Sequence, residues 1–250
     1  MPELRAIPIE GIGEVRPGDD VTALILEALQ RQRRKLAAGD ILVITHKIIS
    51  KAEGQIVPLA SVRPAKHAQD WAKQFKLDAR ITQIAMDQGA RIVRRGHGVT
   101  ITETPHGFVC ANSGVDASNV DGGKSVVLLP QDPDDSAMRI HGALKKRVGF
   151  GVPVIISDSF GRAWREGLTE VAIGLAGMSA FRDSRGERDP YGYKLKVTLE
   201  AVADELAGMA GLACGKLTRV PACIIRGYVY RAGRGRARDL IRPAERDMFR

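Results

Sequence analysis

Phe108-Val109-Cys110-Ala111 runs directly into Asn112-Ser113-Gly114-Val115-Asp116-Ala117-Ser118-Asn119. The first four residues are apolar and read as a strand. The next eight hold one Asp, two Asn, two Ser and a Gly, and read as a tight polar loop. The strand is the last of three. Ile92-Val93 and the alternating Val99-Thr100-Ile101-Thr102 precede it, with Gly96, Gly98 and Pro105-His106-Gly107 at the turns. Residues 91–111 therefore read as a β-meander. Elsewhere strands come singly between helices. A chain that mixes the two patterns belongs to the α+β or mixed α/β class, with a mixed sheet.

The flanking segments supply those single strands and helices. Asp19-Asp20 caps a helix whose apolar face is Val21, Leu24, Ile25, Ala28 and Leu29, and which is expected to end near Gly39. Ile41-Leu42-Val43-Ile44-Thr45 is a buried strand. His46-Lys47-Ile48-Ile49-Ser50-Lys51 is its basic exit, read as a turn; a helical start there would put Lys47 and Lys51 on one face. Pro64 opens a helical stretch to about Gly89, broken near residues 76–78. An acidic turn at residues 130–136 caps a helix over 137–148. Val152-Pro153-Val154-Ile155-Ile156-Ser157 is a strand whose end carries Asp158-Ser159-Phe160-Gly161-Arg162-Ala163-Trp164-Arg165. That end reads either as a capped helix start or as an anion clamp with Arg162 and Arg165 on one helical face, Trp164 being used for packing. Residues 171–180 are small and glycine-rich, suited to close backbone approach. Residues 198–214 form the cleanest helix, with Leu199, Val202, Ala203, Leu206, Met209 and Ala210 inward and Gly215 as its stop. A strand follows at 221–226. No repeat, linker or composition shift marks a border. Residues 1–250 are read as one domain, divisible at most into two intertwined subdomains, roughly 1–90 with 175–250, and 91–174.

Apolar residues make up 44% of the chain and aromatics 5%, so the core rests on Val, Ile, Leu and Ala. No apolar run reaches the ~20 residues of a membrane span, and the first residues lack a signal-peptide pattern. Cys110, Cys214 and Cys223 are scattered and odd in number, which fits a reducing, cytoplasmic setting. The net charge of +9 invites a polyanion or phosphorylated small substrates. Its excess sits at residues 31–35 and 231–242, without the interleaved aromatics of single-strand binders, so both segments read as solvated surface and nucleic acid as an improbable partner.

Two strand-end carboxylates, Asp116 and Asp158, carry the chemistry. Each has a bland reading as a turn or cap that bonds its own backbone. Together with Ser159 and the lysines at 47 and 51 they suggest a site where carboxylates hold a divalent cation and lysines neutralise phosphate. No Ser-His-Asp, Cys-His or His-Glu-x-x-His set competes. The residues alone lead to metal-dependent phosphoryl or nucleotidyl chemistry, with a metal-dependent phosphohydrolase and a basic nucleic-acid-binding protein as alternatives.

Six segments resemble one family. Gly18-Asp19-Asp20, Ile49-Ser50-Lys51-Ala52-Glu53-Gly54, Gly114-Val115-Asp116-Ala117-Ser118-Asn119-Val120, residues 128–137 (Leu-Leu-Pro-Gln-Asp-Pro-Asp-Asp-Ser-Ala), Asp158-Ser159-Phe160-Gly161-Arg162 and Val202-Ala203-Asp204-Glu205 look like the coenzyme F420-0:L-glutamate (γ-glutamyl) ligases. The resemblance covers nearly the whole chain. It implies a fold of the family's own, with mixed, largely antiparallel sheets flanked by helices, and a homodimer. It implies GTP-dependent amide formation between F420-0 and L-glutamate through an acyl phosphate, with GTP as co-substrate, Mg²⁺ or Mn²⁺ as the cation, and K⁺ as a further ion. Carried over by position, Asp116 and Asp158 are first-metal ligands and Ser159 touches a second metal. Ile12-Gly13-Glu14-Val15, His46-Lys47, Lys51 and Asn119 contact the nucleotide. Asp116, Asp158 and Lys51 are the expected catalytic residues. One departure stands out: Lys216 follows the helix-ending Gly215, where the resemblance implies, for archaeal-type members, a Gln or Glu that serves the second metal and the nucleotide. A charged Lys cannot ligate a metal, so either one metal suffices, another residue supplies the ligand, or Lys216, counted here among the nucleotide-binding residues, contacts phosphate directly. The chain resembles the bacterial members that are fused to a reductase-like domain, but in a stand-alone form.

Overall fold

Ile41, Leu42, Val43 and Ile44 are all buried because both faces of their strand are covered. The structure, a computed structural model, describes residues 3–248. In chain order its elements are β1 (Arg5–Pro8), α1 (Val21–Arg31), β2 (Ile41–Thr45), α2 (His46–Ala52), β3 (Ile56–Pro58), α3 (Lys66–Phe75), α4 (Ala79–Gln88), β4 (Arg91–Gly96), β5 (Val99–Glu103), β6 (Val109–Ala111), β7 (Ser125–Val127), α5 (Pro133–Val148), β8 (Val154–Arg162), β9 (Arg165–Ala176), β10 (Arg182–Asp183), β11 (Leu199–Glu200), α6 (Val202–Cys214) and β12 (Ala222–Arg226).

The central sheet has the order β1-β12-β2-β8-β9. Only the β2–β8 pair is parallel; the other neighbours are antiparallel. The strand period of two sends Leu42 and Ile44 to one face, where they meet Ile25 and Leu29 of α1 and Ile140 and Leu144 of α5. Ile41 and Val43 go to the other face, with Val202, Leu206 and Ala210 of α6. The meander is a separate antiparallel sheet, β4-β5-β6. A third apolar cluster joins Leu59 and Ile84 to Val126 and Leu128. This is the mixed, largely antiparallel α+β architecture expected from the sequence.

Several local expectations need correction. The first helix ends at Arg31, not near Gly39, because Arg33 turns into the left-handed region (φ 54). Residues 46–52 are a helix that starts directly at the end of β2, not a turn. The stretch after Asp158 is neither a helix nor the end of a strand. β8 continues to Arg162 and returns as β9 through Ala163-Trp164, so Arg162 and Arg165 face each other across a hairpin instead of sharing a helical face. Trp164 sits at its tip with 78% of its surface exposed instead of being buried in the core. The last long helix starts at Val202; Leu199 lies in β11 and is exposed. The close approach expected in 171–180 is found at Gly174, where a Cβ would lie 2.3 Å from the Pro133 carbonyl oxygen of α5.

The acidic turn does more than cap. Asp132 accepts from the Asp135 N–H and closes the α5 N-terminus. Asp134, buried, accepts instead from Leu175 N and Ala237 N, and pairs with the Arg238 guanidinium at 3.2 Å. One carboxylate thus joins α5, β9 and the basic C-terminal segment. The Asp134→Ala variant should lose about 2–3 kcal/mol of stability, read as a lower urea midpoint, because two buried N–H groups are left without acceptors.

Candidate functional site

The parallel register sets Thr45 beside Ser157. The next residues along the chain are His46, the first of α2, and Asp158 of β8, so the pairing alone makes them neighbours. His46 Nε2 lies 3.3 Å from Asp158 Oδ1, with the ring buried and its Nδ1 3.2 Å from Ser50 Oγ. The Nε2 approach is close enough for an ion pair but off the line that a hydrogen bond needs, and the atom has no other polar partner.

Lys47, one residue on, reaches the opening loop. Its Nζ lies 2.8 Å from Asp116 Oδ2, 2.6 Å from Ser118 Oγ and 3.1 Å from the Ser118 carbonyl oxygen, which uses all three ammonium donors. Asp116 is held on both sides. Its backbone bridges Val127 of β7, and its Oδ1 accepts the Ser118 N–H at 2.6 Å. The turn reading and the ligand reading thus use different oxygens of one carboxylate. Burial pushes the Asp116 carboxyl up, but the hydrogen bonds and charge of Lys47 and the Ser118 N–H more than offset this and hold it below the ordinary carboxylate value.

Lys51 follows one helical turn after Lys47. It is buried, pairs with the Glu14 carboxylate and donates to the Asn119 carbonyl oxygen at 3.2 Å. Two lysines of one short helix therefore stitch residues 116–119 to β2. Asn119 itself is left-handed (φ 58) and exposed. Of the segment 12–15, Ile12 and Val15 belong to the core, so only Gly13, Glu14 and the backbone face outward. A cleft of about 360 Å³ lies next to them, lined by Glu10, Gly11 and Ile12 on one wall and by Cys214, Thr218 and Arg219 on the other.

Beyond Asp158, the hairpin places Ser159 opposite Glu170. Ser159 Oγ donates to Glu170 Oε1, and the Lys216 ammonium reaches both, lying 3.0 Å from that carboxylate oxygen. Glu170 was not legible as a site residue. Only reading 158–176 as a hairpin with a two-residue turn exposes it as the cross-strand partner of Ser159. A bulge at Ile173 leaves the Ala172 N–H to Asp204 Oδ1 at 2.8 Å, which gives the Val-Ala-Asp-Glu segment its part: it fastens β9 to α6. Gly211 of α6 is needed because a Cβ there would meet Glu170 Cγ at 2.4 Å.

The donor set suits a hard divalent cation. Asp116 and Asp158 offer carboxylate oxygens, now faced by nitrogens of Lys47 and His46, while the hydroxyl of Ser159, the third residue of the expected set, is engaged by Glu170 and Lys216. Among the described residues no three His, Cys, Asp or Glu side chains converge on one point. A cation there would need oxygens from a bound substrate to complete its shell.

Fold and site together define an α+β protein with a carboxylate–amine cluster where the parallel pairing of β2 and β8 ends, Asp116 being contributed by the loop after β6. The family model for F420-0:γ-glutamyl ligase matches residues 11–227. A coenzyme F420:L-glutamate ligase of Methanothermobacter thermautotrophicus is 45% identical over 247 residues, 98% of each chain. Proteins of the same description from Methanocaldococcus jannaschii and Methanopyrus kandleri are 46% and 41% identical over 213 and 255 residues, covering 85% and 100% of this chain and 85% and 99% of their own. The chain belongs to the F420-0:γ-glutamyl ligase family.

Two outcomes test this geometry. Because the Asp116 carboxyl is depressed in the fold, its stabilising contribution is complete above the unfolded value near pH 4 and is lost as pH falls through the lower folded value. The stability difference between the wild type and Asp116→Asn, from urea unfolding at stepped pH, should stay level from about pH 7 to 5 and shrink below about pH 4. Burial and the Asp158 charge push the Cys110 thiol up to about 12. Peptide mapping after iodoacetamide treatment of the native protein near pH 8 should therefore find Cys110 unalkylated.

Proposed function

We propose that this chain is a ligase that joins L-glutamate to coenzyme F420-0 with GTP as the energy source, giving F420-1 and longer γ-glutamyl forms. The observation that carries the reading is that consecutive residues of one helix, His46 and Lys47, meet two carboxylates, Asp158 and Asp116, with Lys51 one turn further on. Membership of the family supports F420-0 and L-glutamate as the substrates.

In the first step a carboxylate oxygen of F420-0 attacks the γ-phosphorus of GTP. A carbon–oxygen–phosphorus link forms, and the bond to GDP breaks. In the second step the amine of L-glutamate attacks the acyl carbon; the amide forms, the amine loses a proton and phosphate leaves. Asp116 and Asp158 would hold Mg²⁺ or Mn²⁺, which supplies positive charge against the phosphate oxygens. Lys47 and Lys51 add fixed positive charge on the same side. Asn119, Glu14 and Gly13 border the nucleotide, and the cleft beside Ile12 has room for its base. Holding GTP and acid together contributes several kcal/mol, on the order of what proximity supplies in other enzymes. Phosphorylation replaces a poor leaving group by a good one.

The state of assembly follows the same reading. Leu212 and Leu217 at the end of α6 are more than nine-tenths exposed, an apolar surface that suits a second copy of the chain. No helix among the described residues is long and apolar enough to cross a membrane.

The test incubates the protein with F420-0, GTP, L-glutamate and Mg²⁺ or Mn²⁺ and follows products by mass spectrometry. A product heavier by one glutamyl residue is expected. No glutamylated product with any nucleoside triphosphate would overturn the reading, and GTP turnover that is equally fast without F420-0 would make the protein a hydrolase instead. Asp116→Asn and Asp158→Asn should each lower kcat by about 100-fold or more, with the fold unchanged by circular dichroism.

A further inference from the structure

Asp158, Ser159 and Glu170 form a continuous line of oxygens. The Ser159 N–H binds Asp158 Oδ1 at 2.7 Å, and the Ser159 hydroxyl donates to Glu170. Two carboxylates and a hydroxyl are the donors a second hard cation would use beside the first. In this chain the place is already taken. The Lys216 ammonium contacts both Ser159 Oγ and Glu170 Oε1.

The contact is set by the backbone. Gly215 ends α6 at φ 65 and ψ 176, a conformation that favours glycine, and so aims the following residue back towards β9. Thr218 Oγ1 donates to the Cys214 carbonyl oxygen and closes the turn that holds Lys216. Gly211 leaves the space in which Glu170 lies against α6. A divalent ion on Ser159 Oγ would sit about 2.1 Å from it, in the volume of the ammonium, and two like charges at that range repel strongly. The residues present do not fit a second divalent cation.

We propose that Lys216 is the second cation of the site: a charge carried by the chain takes the position that a second metal would occupy, and the protein uses one divalent ion, at Asp116 and Asp158. Two of the three ammonium donors go to Ser159 and Glu170, and the third remains for an anionic oxygen of the phosphorylated substrate. This rests on the metal–nucleotide reading above. Lys216 acts as a charge donor to phosphate, and Glu170 and Ser159 position it.

The test counts bound metal. The full-length protein is dialysed to equilibrium against Mn²⁺ and a non-hydrolysable GTP analogue, and the protein-bound Mn²⁺ is measured by elemental mass spectrometry. The wild type should hold about one ion per chain, Lys216→Gln about two, and the Lys216→Gln/Glu170→Gln double variant about one again. Two ions in the wild type, or no gain in Lys216→Gln, would overturn the proposal while leaving the ligase reading intact. No bound Mn²⁺ in the wild type would overturn the metal reading and this proposal with it. Lys216 is mostly exposed, so its substitution tests the charge and not the fold.

Discussion

The pairing of β2 with β8 is the constraint on which the rest of the site depends. It is the one parallel pair in the central sheet, and parallel strands bring like ends together. Thr45 lies beside Ser157, so whatever follows each strand must meet its counterpart. β2 turns at once into α2, and β8 runs on into a hairpin. One register therefore delivers His46 to Asp158 and sets Lys47 and Lys51 beside the loop after β6, while the antiparallel β8–β9 hairpin brings Ser159 to Glu170. The same register buries Leu42 and Ile44 on one face and Ile41 and Val43 on the other, so packing and site cannot be shifted separately.

Around that pairing, charges are set against one another in a half-buried volume. Lys47 spends three donors on two residues of the loop, and Lys51 ties the same loop to Glu14. The loop needs such ties. Asn112, Ser113 and Asn119 are all left-handed, a conformation that costs L-residues other than glycine about 1–2 kcal/mol each at most. Ser113 is held by Thr102 Oγ1 at 2.8 Å and by the Ala85 carbonyl oxygen, which connects the loop to the meander and to α4. A strained loop pinned at both ends presents Asp116 in one orientation.

Much of this was readable in order along the chain. The cap at Asp20, the break at 76–78, the meander and the stop at Gly215 follow local rules of turn and helix chemistry and lie where those rules put them, whereas the helix expected from residue 137 begins at Pro133, behind a cap at Asp132 inside the acidic turn. Asp116, Asp158, Lys47 and Lys51 were recognisable as chemistry-bearing residues at strand ends. The errors with the greatest consequence for the site follow Asp158. Asp-Ser-x-Gly-Arg reads locally as a helix start, and tertiary pairing with β9 overrides that preference. The missed hairpin hid Glu170, whose place is defined only by a partner eleven residues away. Asp134 was hidden for a similar reason: in the sequence it is one more acidic residue at a helix start, while its partners lie on β9 and beyond residue 236.

The amino-acid sequence by itself determined most of the strands and helices, which faces are apolar, and which carboxylates and amines carry the chemistry, because those properties depend on neighbours a few residues apart. The tertiary structure decided which of these groups meet. That His46 faces Asp158, that Lys47 holds Asp116, and that Lys216 fills the space between Ser159 and Glu170 depend on one parallel register, one bulge and one glycine-ended helix. These are contacts between segments far apart in the chain, and no local preference encodes their distances.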